Sequence, residues 1–282
     1  MDPLVSIGIP IYNEEKYLEQ TLNTIVSQDY GQIEILISDN GSNDETQNIC
    51  TRYAEQYPNV IYHRFPENQG SVRNFEYVLE KANGKYFMWA SGHDLWDKNY
   101  VQSCVEHLEN NEYAVLAVGS GKWIDEEGSD FPRKSGWTDT SGMDVIARYF
   151  TVLWGNMHPV LGLINREQLL ECPIVNVIGS DLLILSCLSL KGDFLHASDT
   201  TWSRREFRIE ENHTAKVERY KESDYGYAST FLEKLFPLVR LPVELVKGVF
   251  SSKQPIWVKT IIVSLLLITF PFRYVAGKTK PQ

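Results

Sequence analysis

The first 118 residues alternate short apolar runs with amphipathic stretches, and that order leaves few folds open. Residues 5–10 (VSIGIP) read as a buried strand, and residues 14–28 then place Leu18, Leu22, Ile25 and Val26 on one helical face. A near-continuous apolar run at 33–38 (IEILIS) predicts a second strand, followed by the turn residues Asn40-Gly41-Ser42-Asn43-Asp44 and a helix to about Tyr57. Residues 60–63 predict a third strand, and 71–82 a helix stopped at Asn83-Gly84. Residues 85–90 (KYFMWA), a helix over 100–109 and a strand at 114–118 complete the series. Strands that are apolar throughout, with a helix between each pair, predict a parallel sheet covered on both faces. Ligands of such sheets sit beyond the carboxyl ends of the strands. Asp39 follows the second strand and Asp94 the fourth, so topology places both acids at that edge.

After about Lys122 the pattern loosens. Residues 123–137 read as loop, 143–150 as a short helix, 160–165 as a strand and 166–171 as a helix start. Gly179-Ser180-Asp181 opens an apolar helix over 182–190, and 194–203 predicts a last strand. The sequence divides into a domain over 1–210, with a donor half at 1–120 and an acceptor half at 121–210, and a basic helical segment over 211–282.

Charge separates these parts. The net charge is −10, yet from Glu233 onward eight Lys and Arg face two acids, so the remainder carries −16. A body this acidic is a poor general nucleic-acid binder. It can still hold an anionic ligand if a cation screens the site. In the tail, 236–250 interleaves Leu, Val and Phe with Arg240, Glu244 and Lys247, which predicts an amphipathic helix. The thirteen residues 260–272 (TIIVSLLLITFPF) lie between Lys259 and Arg273 and fall short of the ~20 apolar residues of a span. Apolar bulk flanked by cations suits an interfacial helix on an anionic membrane surface. Packing on the domain or on a dimer partner, and a span stretched by snorkelling cations, are the alternatives. Cys50, Cys104, Cys172 and Cys187 are far apart in sequence, with no zinc spacing, and read as buried reduced thiols. The acidic N-terminus lacks a signal-peptide pattern. The expected location is the cytoplasm, peripheral at the inner face of the cell membrane. The sequon Asn212-His213-Thr214 would be silent there.

Several chemistries are excluded by their missing residues. No GxGxxG follows the first strand, Gly277-Lys278-Thr279 lacks the rest of a phosphate loop, and neither HExxH nor GxSxG occurs. Acids on loops at strand ends remain. Each alone can be a turn residue. Two at one sheet edge repel unless a positive charge lies between them, and a divalent cation with a diphosphate meets that need.

These segments together resemble the family-2 inverting glycosyltransferases of the GT-A fold. Val5-Ser6-Ile7-Gly8-Ile9-Pro10-Ile11-Tyr12-Asn13-Glu14 is similar to that family's first strand and loop. Gln28-Asp29-Tyr30 with 34–46 resembles its second signature, and Asn68-Gln69-Gly70 with Arg73-Asn74 its third. Trp89-Ala90-Ser91-Gly92-His93-Asp94 occupies the place of its acidic metal motif. The resemblance is clear over about residues 4–120 and weaker to about 205. It implies a Rossmann-like, mostly parallel sheet flanked by helices. It implies sugar transfer with inversion from a nucleoside-diphosphate sugar, expected to be a UDP-sugar, to a glycan or lipid-linked acceptor in polysaccharide or glycolipid synthesis. Pro10, Tyr12 and Glu14 would border the nucleoside, Asp39 would accept from the base N–H, and Arg73 would lie near the ribose or diphosphate. Asp94 would hold Mn²⁺ or Mg²⁺ between the phosphates.

His93 stands where the family usually has Asp. A neutral imidazole can ligate Mn²⁺ or bond the ribose, so His93 is a candidate for donor and metal contact. Asp181 resembles the acid of the family's Glu-Asp pair at a helix start and is the expected general base, kept ionised by the helix N-terminus; the alternative is a plain N-cap. Trp202, Arg204 and Arg205 are candidates for an anionic contact or a solvated basic edge. Two other functions stay open. A sugar-nucleotide nucleotidyltransferase would need a glycine-rich basic loop after the first strand, where this chain has Tyr12-Asn13-Glu14-Glu15-Lys16. A catalytically silent nucleotide-sugar binder is suggested by His93.

Overall fold

The computed structural model describes residues 2–131, 139–206 and 240–279. Its strands are β1 Val5–Ile11, β2 Ile33–Asp39, β3 Val60–Arg64, β4 Tyr86–Trp89, β5 Leu95–Trp96, β6 Ala114–Ile124, β7 Asp130–Phe131, β8 Leu163–Asn165 and β9 Asp193–Arg205. They form one sheet in the order β3-β2-β1-β4-β8-β6-β9-β5, with β7 paired to β6. The pairs β1–β2, β1–β4, β2–β3 and β6–β9 are parallel, whereas β8 and β5 run antiparallel to their neighbours. β1 aligns Val5 with Ile33 and Ile11 with Asp39, which carries Asp39 to the carboxyl edge as topology requires.

The helices are α1 Leu18–Val26, α2 Thr46–Gln56, α3 Ser71–Lys81, α4 Tyr100–Glu109, α5 Val145–Trp154, α6 Arg166–Leu170, α7 Ser180–Ser189, α8 Arg240–Ser251 and α9 Ile256–Thr279. Apolar faces of α1, α2 and α4 cover one side of the sheet through Leu18, Leu22, Cys50, Val101 and Cys104. Residues of α3, α6 and α7, among them Val78, Leu169 and Leu185, cover the other. Cys50, Cys104 and Cys172 are buried free thiols, and Cys187 is half-buried.

Two departures from the sequence reading bear on the site. The fifth strand continues to Ile124 instead of ending at Val118, because Ser120–Ile124 and Thr201–Arg205 pair with each other. Gly119, Ser120, Gly121 and Lys122 carry no apolar signal, so the strand looked finished. The register slips where Gly119 faces Ala197 and Ser120 faces Thr201, and a Cβ on Gly119 would come within 2.7 Å of the Tyr100 ring. Strand β6 therefore runs across the 120/121 division, and β8 and β9 complete the donor half's own sheet.

The described tail packs on the body. α8 and α9 join α5 and α7 in a third apolar cluster through Leu241, Leu245, Val249, Val258, Ile262 and Leu266. The boundary at 210–211, the 212–214 sequon and the start of the predicted amphipathic helix lie outside the described residues. Among the described residues no helix is long and apolar enough to cross a membrane.

Candidate active site

The loops at the carboxyl edge are stitched together by their own polar side chains. Asn13 (φ 53°) receives Asn43 N–H on its side-chain oxygen, and its own N–H donates to Ser42 Oγ. Glu14 N–H donates to Thr46 Oγ1 at 2.9 Å. Asn40 accepts from Gln69 N–H and donates to Asn68 Oδ1, each at 2.8 Å. Gly41 (φ 76°) is needed here, since a Cβ would meet the backbone of Glu67 at 2.9 Å. The first three sequence signatures are thus one hydrogen-bonded platform.

Asp39 is fully buried beneath that platform. Its Oδ1 accepts Ser42 N–H at 2.8 Å, Oδ2 accepts the Tyr62 hydroxyl at 2.9 Å, and Arg64 Nε lies 3.3 Å away. Asp94 is also buried, with Oδ1 accepting Arg205 N–H at 2.9 Å and Oδ2 accepting the Trp202 indole N–H at 3.2 Å. Each acid thus has its own protein donors, with a cationic partner at Asp39 and neutral N–H donors at Asp94. Trp202 and Arg205 are not a solvated edge. The Arg205 guanidinium is buried, donates to the carbonyls of His93, Asp125 and Glu126 and to Gln20, and lies 4.4 Å over the Tyr17 ring. It clamps the end of β9 to the loop that carries His93 and Asp94.

A cavity of about 500 Å³ opens beside that loop. Ser91, His93, Asp94, His158, Ser180, Asp181 and Arg204 give it polar lining, while Phe75, Trp89, Met157 and Ile174 supply apolar surface. His93 Nδ1 lies 3.1 and 3.2 Å from the Glu14 carboxylate oxygens, so Glu14 orients the ring. Gly92 allows this approach, since a Cβ there would sit 2.9 Å from Glu14 Cγ. A proton donated from Nδ1 to Glu14 makes Nε2 the basic nitrogen, the carboxylate–histidine arrangement of metal-binding imidazoles.

Asp181 lies in the first turn of α7, yet it is not the cap. Gly179 (φ 88°) is the N-cap residue, and the Asp181 carboxylate accepts no hydrogen bond among the described residues. Burial raises its pKa above the usual carboxylate value, and Arg204 opposes the rise. The expectation that the helix N-terminus holds this acid low is therefore reversed: loss of hydration outweighs the helix end. Arg204 donates to His158 Nε2 at 2.9 Å and stacks on Trp123 at 4.7 Å, which fixes its guanidinium in the cavity wall.

Of the residues singled out by sequence, His93, Asp94, Asp181, Trp202 and Arg204 line this cavity, and Pro10, Tyr12, Glu14, Asp39, Arg73 and Arg205 do not. Pro10 pairs with Ser38 within the sheet, and Tyr12 is exposed at the platform's rim. Arg73 lies on the outer side of α3, bonded to Glu80 at 3.0 Å and over the Tyr77 ring. His158, Phe75 and Trp123 were missed. His158 precedes Pro159 in a 3₁₀ turn that the sequence reading assigned partly to a strand, and no local pattern links it to Arg204.

Among the described residues no group of three or more His, Cys, Asp or Glu converges on a metal position. His93 and Asp94 are adjacent in the lining, and among the described residues each Asp94 oxygen accepts one of its two possible hydrogen bonds. A pair of this kind fits a hard divalent cation that takes its remaining ligands from phosphates and water.

Solved structures with the same fold cover nearly the whole chain. S. aureus TarS 1-349, in complex with UDP-GlcNAc, superposes with a TM-score of 0.70 at 17% identity, over 98% of this chain and 76% of that one. The mannosyltransferase PcManGT from Pyrobaculum calidifontis, in complex with GDP-Man and Mn²⁺, gives 0.56 at 16% identity, over 98% and 84%. The expected GT-A architecture is the one found. Among curated relatives, a Haemophilus influenzae protein described as an uncharacterised glycosyltransferase is 28% identical over 188 residues, 66% of this chain and 72% of its own length. A Rickettsia felis protein with the same description is 32% identical over 132 residues, 45% of this chain and only 21% of its own length. The family model of glycosyl transferase family 2 matches residues 6–169, more than half of the sequence, and the chain belongs to that family.

Proposed function

We propose that this chain transfers a sugar from a nucleoside-diphosphate sugar to an acceptor hydroxyl with inversion, in polysaccharide or glycolipid synthesis. The observation that carries this reading is Asp181: a carboxylate with no hydrogen-bond partner among the described residues, on the wall of a cavity that His93 and Asp94 also line. Family membership and the nucleotide sugars held by the two solved structures support the donor class.

In this reading Asp181 takes the proton of the acceptor hydroxyl. The oxygen attacks the anomeric carbon from the side opposite the diphosphate, and the bond to the phosphate oxygen breaks. A carboxylate raised by burial is a stronger base than an ordinary one, which suits the task. Asp94 and His93 would hold Mn²⁺ or Mg²⁺, which when bound stabilises the charge gained by the departing diphosphate. Glu14 orients His93, and Trp202 and Arg205 orient Asp94. Pro10 and Tyr12 border the nucleoside, and Asp39 shapes its pocket, reaching the base N–H if the Tyr62 and Arg64 contacts exchange for it. The exposed Arg73–Glu80 pair is weak, so Arg73 is free to turn to the ribose or diphosphate. The phosphate-bearing donor enters an acidic body, and a bound cation would screen that repulsion. The protein rests peripherally on the inner face of the cell membrane through its C-terminal segment.

The test joins binding to turnover. Thermal shifts with UDP-GlcNAc and GDP-mannose, each with and without Mn²⁺, should reveal a donor whose stabilisation needs the metal. Asp181→Asn should keep that shift and lose transfer. Turnover at the parent rate in this variant removes Asp181 as base; a metal-dependent shift with no turnover in the parent points to a silent nucleotide-sugar binder.

A further inference from the structure

The helix pair α8–α9 reads in sequence as an appendage, but its first turn touches the segment that presents Asp181. Leu241, the second residue of α8, is buried against the 177–183 segment in a cluster that includes Val177, Leu182 and Leu183. A Cβ on Gly179 would lie 2.8 Å from Leu241 Cδ2, and Gly179 already sits in the left-handed region at φ 88°. Backbone bonds hold the turn from Val177 N–H to Val175 O, from Ser180 N–H to Val177 O and from Leu183 N–H to Gly179 O, and at Gly179 itself Leu241 is the side chain in contact. Asp181 has no hydrogen bond of its own among the described residues and only the charge of Arg204 acting on it, so the backbone of this turn sets where its carboxylate starts from.

We propose that Leu241 is a positioning residue for Asp181, and that the C-terminal helix pair is thereby part of the catalytic apparatus. The proposal rests on the reading of Asp181 as the base. Leu241 fills the space that Gly179 leaves open, and the two residues form a side-chain-on-backbone contact with no room for a shift toward α8. Removing the leucine lets the turn relax toward the helix and withdraws Asp181 from the cavity wall.

The experiment follows the Asp181 carboxylate in the full chain by ¹³C NMR titration, with the signal assigned by its loss in Asp181→Asn. It also measures nucleotide release from UDP-GlcNAc and GDP-mannose with Mn²⁺. Among the described residues, the titratable groups that line the cavity with Asp181 are Arg204 on β9, His158 on the 3₁₀ turn, His93 and Asp94. α5 brings Arg148, paired with Asp193, and α8 brings Arg240 and Glu244. Leu241→Ala changes none of these charges, so a moved midpoint reports a moved carboxylate. It is expected to shift that midpoint by about one pH unit and to cut kcat about tenfold or more at nearly constant donor KM, as a misplaced catalytic group does. Leu241→Met, which conserves volume, should retain the parent midpoint and rate. Gly179→Ala reaches the same contact without hollowing the core and should move the midpoint as well, and Leu241→Ala added to it should restore part of the change. A folded Leu241→Ala protein, or a folded Gly179→Ala protein, with the parent midpoint overturns the proposal. Turnover unaffected by Asp181→Asn would instead remove the base itself.

Discussion

Asp181 is held at a cost. Its carboxylate is partly exposed at most, lacks hydrogen-bond donors among the described residues, and is raised by burial against the pull of Arg204. Two consequences differ in sign. For catalysis, the base must be ionised, so kcat should rise with pH through a midpoint above the ordinary carboxylate value of about 3.9. Arg204→Met should push that limb to still higher pH, because the opposing cation is gone; a limb that stays put or moves down refutes the link. For stability, a carboxyl raised in the folded state favours folding below its unfolded pKa, and this contribution is lost as pH rises through the folded value. Near neutrality the charged Asp181 therefore weakens the fold. Asp181→Asn is expected to melt at or up to a few degrees (~2–4 °C) above the parent at pH 7 while losing transfer, as scanning calorimetry can show. Asp181 could be singled out in sequence because Gly179-Ser180-Asp181 resembles the family's acid pair at a helix start. Its raised pKa and the His158–Arg204 contact were not, since both arise from residues brought together across the sheet.

At the level of elements, the loops after β1, β2 and β3 matter as a set. Each signature is visible in sequence as a short string of Asn, Gly, Ser and Asp, and each places its loop correctly. What a string cannot show is that Asn40 bonds both Asn68 and Gln69, 28 and 29 residues away. Asn40 is buried, so Asn40→Ala leaves Gln69 N–H and Asn68 Oδ1 without this partner, at a cost of about 1–3 kcal/mol. Urea unfolding should register that loss, and the thermal shift given by the nucleotide sugar should fall with it if the loosened loop borders the proposed nucleoside pocket. Loss of stability with an unchanged nucleotide shift would make the platform purely structural. The same limit explains the misread strands. β6 past Gly119 and the two-residue β5 hold their places through pairing with β9, not through any apolar run of their own.

Across the whole molecule the remaining imbalance is on α9. Val258, Ile262 and Leu266 bury one face of it on the body, yet Trp257 is 60%, Leu267 65% and Ile268 62% exposed on the rest. So much apolar surface on one helix marks an interaction face. The sequence showed the apolar content but not which residues the body had already taken, because that depends on how α5, α7 and α8 meet α9. In the proposed membrane contact, charge would set the orientation: the tail from Glu233 is +6 and the remainder −16, so an anionic surface would attract the tail and repel the acidic body. The full chain should cosediment with phosphatidylglycerol vesicles at low salt, release as salt rises, and ignore phosphatidylcholine. Replacing Trp257, Leu267 and Ile268 together by Ser alters exposed positions only, so the fold and the nucleotide shift should persist while vesicle binding drops about tenfold or more, given the apolar area withdrawn from the bilayer. Equal binding by parent and triple variant would show that this face does not meet lipid. Light scattering gives the competing outcome its own signature: a dimeric parent and a monomeric triple variant, with no vesicle binding by either, would assign the face to a second copy of the chain.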